Sequence, residues 1–240
     1  MNIILSGYGR MGHEVEKAAI ARGHRIIARI DTEDDWATCS PLFSSADVVI
    51  DFSQPATAVA NIRHCFDHHI PVVTGTTGWN KDEPMVRKWC MDENQSLFVG
   101  SNFSIGVNIL FALTGKLGEL MNRFDEYNIS LEEIHHIHKL DAPSGTAIKL
   151  AELILSRVER KKAWVNQTGR TPEELQVISV REGEVPGTHT VDCESEADRI
   201  TLRHEAKNRK GFALGAVMAA EWLPGKKGYF EMNDLLGLTL

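Results

Sequence analysis

The first dozen residues constrain this chain more than any others. Asn2-Ile3-Ile4-Leu5-Ser6 is a short apolar run of the kind that forms a buried parallel strand, and it leads without a gap into Gly7-Tyr8-Gly9-Arg10-Met11-Gly12. Met11, Val15, Ala18 and Ala19 then share one face of a helix that stops at Gly23. Each glycine has its own task in such a unit: Gly7 permits the tight turn, Gly9 lets the backbone approach a pyrophosphate, and Gly12 lets the helix pack closely on the strand. A second strand, Arg25 to Ile30, ends in Asp31, near the ~20-residue offset at which an acid reaches a ribose hydroxyl. Glycines alone are a weak signal, and a glycine-rich turn beside a solvated aspartate is the bland alternative. Strand, glycines, helix, strand and acid in this order predict a dinucleotide site.

The alternation of strand and helix continues. Asp47-Val48-Val49-Ile50-Asp51-Phe52 reads as a buried strand, and Ser53-Gln54-Pro55 opens a helix with proline in its first turn. Ile70 to Val73 leads into Gly75-Thr76-Thr77-Gly78, a helix spans roughly 81–93, and Ser96 to Val99 leads into Gly100-Ser101-Asn102-Phe103. The expected fold class is α/β, a Rossmann-type doubly wound parallel sheet. In such a sheet the carboxyl ends of the strands line the ligand crevice, so Gly75 and Thr77 can meet a nicotinamide through backbone and hydroxyl.

A different chemistry sits in the middle of the chain, where Glu133-Ile134-His135-His136-Ile137-His138-Lys139-Leu140-Asp141-Ala142-Pro143-Ser144-Gly145-Thr146-Ala147 packs three histidines and a lysine against a helix start. Residues 128–136 alternate as a strand does, Pro143 breaks the chain, and Ser144 is a suitable N-cap for a helix carrying Ile148, Ala151, Leu155 and Val158. The backbone N–H groups of Gly145 and Thr146 at that terminus, with cations from His136 and Lys139, make an anion site for a carboxylate or phosphate. A surface strand ending in a polar turn explains any one histidine but not the whole run. Zinc is the other alternative, yet His135 and His136 point to opposite faces of a strand, and no cysteine or carboxylate is seen at a metal-ligand spacing nearby. No metal is expected.

The 240 residues, 42% hydrophobic and 25% charged, allow one large or two modest domains with a real core. A formal charge of -7 argues against a nucleic-acid or anionic-membrane surface, so the cationic cluster at 135–139 is expected to serve a small ligand. Cys39, Cys65, Cys90 and Cys193 lie far apart, no signal peptide precedes the first strand, and no apolar run approaches the ~18 residues of a spanning helix; a cytoplasmic protein is expected.

With Gly-x-Gly-Arg-Met-Gly at the start, Gly75-Thr76-Thr77-Gly78, Asn102-Phe103-Ser104, the His135 to Thr146 run, Arg181-Glu182-Gly183, Gly187-Thr188-His189 and Gly211 to Ala216, the chain resembles the dihydrodipicolinate (4-hydroxy-tetrahydrodipicolinate) reductases from residue 1 to about 235. The resemblance implies NAD(P)H-dependent reduction of a cyclic dicarboxylate made from aspartate semialdehyde and pyruvate, on the route to diaminopimelate and lysine. It also implies a homotetramer assembled through a second domain, and a hinge closing that domain onto the first. Carried over by position, it makes His135 the acid/base group, with Lys139 sharing that role, and gives His136, Lys139, Gly145 and Thr146 to the substrate's carboxylates. The cofactor residues it implies are Gly7, Arg10, Met11, Asp31, Phe52, Gly75, Thr77 and Phe103, with Gly100 and Ser101 where the family often has Ala or Pro. Two departures stand out. The segment between Asp31 and Asp47 is short, and Thr32 stands where an arginine often follows the acid, which removes a partner for the 2′-phosphate of NADPH; Arg10 or Lys81 can take its place.

The domains expected are 1–103 with 209–240 for the dinucleotide, and 104–208 for substrate binding and tetramerisation. The rhythm changes there: a helix around 105–123, strands near 128–136, 176–181, 188–195 and 198–206, and one long helix at 144–160, a mixed α+β pattern with one sheet face at 189–203 left for subunit contact. Other two-domain nicotinamide reductases are the nearest alternative, though no cysteine stands where a semialdehyde dehydrogenase needs one. A dinucleotide-sensing regulator has no use for the His135, Lys139 and Thr146 cluster.

Overall fold

A computed structural model describes residues 1–169 and 171–238. Two compact units divide the chain, Met1–Ile105 with Lys210–Leu238, and Gly106–Arg209. The first runs β1 (Asn2–Ser6), α1 (Arg10–Ala21), β2 (Arg25–Ile30), α2 (Glu33–Cys39), a 3-10 turn (Ser40–Ser45), β3 (Val48–Asp51), α3 (Pro55–Asp67), β4 (Val72–Thr74), α4 (Glu83–Asp92) and β5 (Ser96–Val99). The second holds α5 (Ile105–Met121), β6 (Asn128–His135), α6 (Gly145–Leu155), β7 (Ala163–Val165), β8 (Glu174–Arg181), β9 (Thr188–Glu194) and β10 (Arg199–Glu205), and the chain returns with α7 (Lys210–Trp222), β11 (Gly228–Phe230) and α8 (Met232–Leu236).

The first unit is the parallel sheet that the alternating pattern predicts, ordered β11-β5-β4-β3-β1-β2. Successive strand residues point to opposite faces, so each apolar strand feeds two cores. Ile3, Leu5, Val48 and Ile50 pack with Val15 and Ala19 of α1 and Ala216 and Ala220 of α7. Ile4, Val49 and Val72 pack on the other face with Ala58, Ile62 and Phe66 of α3 and Val86 of α4. The first turn is as tight as its glycines imply. Gly7 has φ +83°, and a Cβ there would stand 2.3 Å from the Phe52 carbonyl oxygen, while one at Gly12 would stand 2.4 Å from the carbonyl oxygen of Gly7.

The second unit is a mixed sheet, ordered β10-β9-β6-β8-β7, with β6 antiparallel to β9 and parallel to β8. Its core joins Ile129 and Leu131 of β6, Val177 of β8 and Val191 of β9 to Phe111 of α5 and Leu150, Ala151 and Ile154 of α6.

Local expectations are corrected in several places. The 144–160 helix is shorter, ending at Leu155, where the Ser156 hydroxyl donates to the Leu153 carbonyl and competes with the helical ladder. The connection after Asp31 carries a helix, α2, whose Thr32 and Asp35 form a reciprocal capping box. The three-residue strands β7 and β11 are too short to show a period and were not expected. Among the described residues no helix is long and apolar enough to cross a membrane.

Candidate active site

In the first unit, Gly9, Arg10, Met11, Phe52, Gly75 and Thr77 line one cavity of about 290 Å³ with Ser53, Pro55 and Thr76. Behind it, a Cβ at Gly75 would lie 2.1 Å from the Phe52 ring, and one at Gly100 2.8 Å from the Phe103 ring, so both rings pack directly on bare backbone. Around Gly9 no heavy atom lies within 4 Å of where a Cβ would be, leaving room for a phosphate to approach the N-terminus of α1. These residues fit a bound dinucleotide.

Two carboxylates organise the cavity's edges. Asp51, fully buried at the end of β3, accepts hydrogen bonds from Ser6 Oγ (2.8 Å), Asn61 Nδ2 (3.1 Å), Thr74 Oγ1 (2.8 Å) and Thr76 Oγ1 (2.6 Å). It thereby ties the ends of β1, β3 and β4 to the Thr76 loop. Asp31, at the end of β2, accepts from the Tyr8 backbone N–H inside the glycine turn. Arg29, the nearest arginine in sequence, is paired with Glu16 and lies 5.2 Å from the centre of the Tyr8 ring.

In the second unit, strand register assembles the site. On β6 the buried residues are Ile129, Leu131, Glu133 and His135, so the row that begins in the core ends in a carboxylate and an imidazole. Glu133 lies opposite His189 on β9, and His135 beside Arg181 on β8. Glu133 Oε1 accepts from Ser144 N (3.0 Å) and Arg181 Nη2 (3.2 Å). Glu133 Oε2 is 3.2 Å from His135 Nδ1 and 3.8 Å from His189 Nε2, and the two imidazoles meet edge to face at 5.1 Å. Ser144 caps α6 as expected, its Oγ accepting from Ala147 N (3.2 Å) and lying 3.2 Å from His189 Nε2.

Burial alone would raise the Glu133 carboxyl, but the donors around it, His135, Ser144 and Ser179, hold it well below the usual carboxylate range. His189 is pushed down to about 4, by burial first and then by His135 beside it, so its ring is neutral near pH 7. A neutral His189 can share one hydrogen with Ser144 Oγ, with the direction set by its tautomer.

The remaining candidates surround this group. Gly145 is exposed at the helix terminus, Thr146 is half-buried one residue on, and His136, just past the end of β6, lies 6.0 Å from the ring of His138. Lys139 Nζ donates to both oxygens of Asp141 (2.7 and 2.9 Å). His138 pairs with Glu184 on the surface.

Glu133, His189 and Arg181 stand in motifs of the sequence but carry no site role there. The expectation that no cysteine or carboxylate stands at a metal-ligand spacing nearby needs correction, because Glu133, two residues before His135 on a strand, shares its face. Potential ligand atoms of Glu133, His135 and His189 lie within 4.8 Å of one another. The cationic partner at Glu133 is the Arg181 guanidinium, and the other Oε1 donor is Ser144 N.

Two family models cover nearly all of the chain: dihydrodipicolinate reductase, N-terminus, matches residues 1–103, and dihydrodipicolinate reductase, C-terminus, matches residues 106–236. The chain is 48% identical over 237 residues to the 4-hydroxy-tetrahydrodipicolinate reductase of Christiangramia forsetii, covering 98% of each. It is 35% identical over 250 residues to the enzyme of that name from Akkermansia muciniphila, covering 100% of this chain and 99% of the relative. A dipicolinate-bound dihydrodipicolinate reductase from Paenisporosarcina sp. TG-14 shares the fold, with a TM-score of 0.79 at 21% identity over 98% of both chains.

Proposed function

The chain belongs to the dihydrodipicolinate reductase family, and we propose that it reduces 4-hydroxy-tetrahydrodipicolinate to tetrahydrodipicolinate with NADH or NADPH, on the route to diaminopimelate and lysine. One observation carries the reading for this chain's own residues: a buried histidine, a lysine and a serine-capped helix terminus are brought together at one end of β6.

Held by the glycine turn and the Phe52, Gly75 and Thr77 cavity, a reduced nicotinamide would supply one hydride, for the electrophilic ring carbon of the unsaturated imine left after loss of water. The product enamine then needs one proton on carbon, and His135 gives it, with Lys139 as a second donor. His136, Lys139 and the N–H groups of Gly145 and Thr146 hold the two carboxylates; substrate binding displaces Asp141 from Lys139. Gly7, Gly9, Arg10, Met11 and Gly12 form the pyrophosphate turn. Phe52, Gly75, Thr77, Gly100 and Phe103 form the nicotinamide end, and Asp31 takes the adenosine ribose. No step calls for a metal.

We assign use of both cofactors, with NADH at least equal. Asp31 repels a 2′-phosphate, and the charge of Arg29 is already matched by Glu16. The half-exposed outer strand β10 supports a homotetramer built through the second unit, and the four free thiols fit the reducing cytoplasm.

Oxidation of NADH or NADPH followed at 340 nm with freshly made substrate tests the activity; no turnover with either cofactor contradicts it. In His135→Gln, kcat should fall more than KM rises, whereas Lys139→Ala should damage both. Pyridine-2,6-dicarboxylate should compete with substrate, and no binding at millimolar concentration in the presence of cofactor would refute the dicarboxylate site.

A further inference from the structure

The geometry points to Glu133 as the positioning residue of His135: it fixes which ring nitrogen faces the substrate, and it ties the strand bearing the proton donor to the helix terminus that binds the carboxylates. This inference rests on the reading of His135 as the donor.

A carboxylate in a row that begins with Ile129 and Leu131 is costly unless every oxygen is engaged. Oε1 is engaged by Ser144 N and Arg181, whereas Oε2 and His135 Nδ1 have no hydrogen-bond partner elsewhere and stand 3.2 Å apart. Their approach is bent away from a straight hydrogen bond. Burial leaves each atom no alternative, so Nδ1 carries its hydrogen toward Glu133 and Nε2 becomes the working nitrogen.

An independent observation marks the same nitrogen. Gly187, just before β9, has φ +152°, and a Cβ there would stand 2.9 Å from His135 Nε2. Only glycine leaves that atom uncovered.

The charged and titratable neighbours on every packed element agree. His189 of β9, with His204 of β10 beyond it, is kept neutral by burial and by His135, against the opposing pull of Glu133. Arg181 of β8 shares Glu133 Oε1 and also donates to the carbonyls of Lys139 (3.3 Å) and Asp141 (2.5 Å), so one carboxylate orients both the donor and the loop that carries the substrate's lysine. When Nε2 hands its proton to the enamine, the Nδ1 hydrogen remains with Glu133. The ring is thereby held against a fixed negative charge, as a triad aspartate holds its histidine. Glu133 touches neither substrate nor cofactor.

Glu133→Gln tests this, since its amide can turn N–H toward Nδ1 and invert the ring. With the full-length enzyme, kcat should fall about 100-fold, within the range of general-acid effects, while KM for substrate and Kd for pyridine-2,6-dicarboxylate change less than about threefold, within the scatter of a preserved binding site. With ¹⁵N-histidine labelling, the His135 signal, assigned by its loss in His135→Gln, should show hydrogen on Nδ1 in the wild type and on Nε2 alone in Glu133→Gln. Unchanged kcat and ring pattern in Glu133→Gln, with His135→Gln impaired, overturns this inference alone. Wild-type kcat in His135→Gln overturns the donor assignment beneath it. If Glu133→Gln fails to fold, the wild-type spectrum decides, because a bare Nδ1 defeats the proposal.

Discussion

Acidifying this protein from pH 7 to pH 5 should cost it about 2 kcal/mol through His189 alone. The unfolded ring titrates near its ordinary 6.5, while burial and His135 push the folded ring down to about 4. The folded pKa is depressed, so this stability is fully present above about 6.5 and drains away as the pH falls toward 4. At pH 5 the unfolded histidine is almost wholly protonated and the folded one only about one-tenth so. That is roughly one and a half units of proton uptake refused by the native state, at about 1.36 kcal/mol each. Against a typical 5–15 kcal/mol of total stability the loss is measurable. Urea unfolding at both pH values and fixed protein concentration, on the wild type and His189→Gln, isolates it: Gln can still accept the Ser144 hydroxyl but takes up no proton. Glu133 and Glu221, both held below their ordinary carboxylate values, are present in both proteins. The depressed His204 is common to both proteins and cancels. Equal losses in wild type and variant would refute the reasoning.

Asp51→Asn should cost about 3 kcal/mol and weaken NADH binding, because a charged acceptor of several buried hydrogen bonds is replaced by a group that must itself donate; urea unfolding and cofactor calorimetry check both. Gly75→Ala puts a methyl 2.1 Å from the Phe52 ring, so the cofactor Kd should rise at least about tenfold, or ~1.4 kcal/mol, and an unchanged Kd counts against the cavity assignment. Asp141→Asn frees Lys139 from its internal carboxylate and should tighten pyridine-2,6-dicarboxylate about threefold, within the worth of an exposed ion pair; weaker binding contradicts the displacement. A preference for NADPH over NADH above about tenfold in kcat/KM, ~1.4 kcal/mol, contradicts the cofactor assignment. Thr32→Arg should move that ratio toward NADPH at a cost near 1 kcal/mol from the lost α2 cap.

How much was readable from sequence depends on where the information lies along the chain. The parallel sheet was legible because Ile3, Val49 and Val72 belong to uninterrupted apolar strands and because Gly7 and Gly12 can be nothing else in a turn that tight. Ser144 was legible as a cap from its own neighbours. The helix over Glu33–Cys39 was hidden because its run of acids shows no apolar period; its start is written instead in the Thr32 and Asp35 pair. The overlong helix at 144–160 followed from counting Val158, which is buried but lies in the turn beyond Leu155.

Glu133 marks the limit of reading by motif. The eye goes to three histidines in four residues, whereas a strand speaks in alternate residues, and Ile129, Leu131, Glu133, His135 is the sentence that matters. Read that way, a lone carboxylate follows two core residues and precedes the donor histidine, which is already a demand for buried partners. The partners themselves are not local. His189 and Arg181 come from strands more than forty residues away, and only the pairing of β6 with β9 and β8 brings them to Glu133 and His135. A one-residue slip in either pairing would turn His189 or Arg181 to the other face of the sheet and leave the carboxylate buried alone. The same register that closes the core of the second unit therefore sets the orientation of its candidate proton donor.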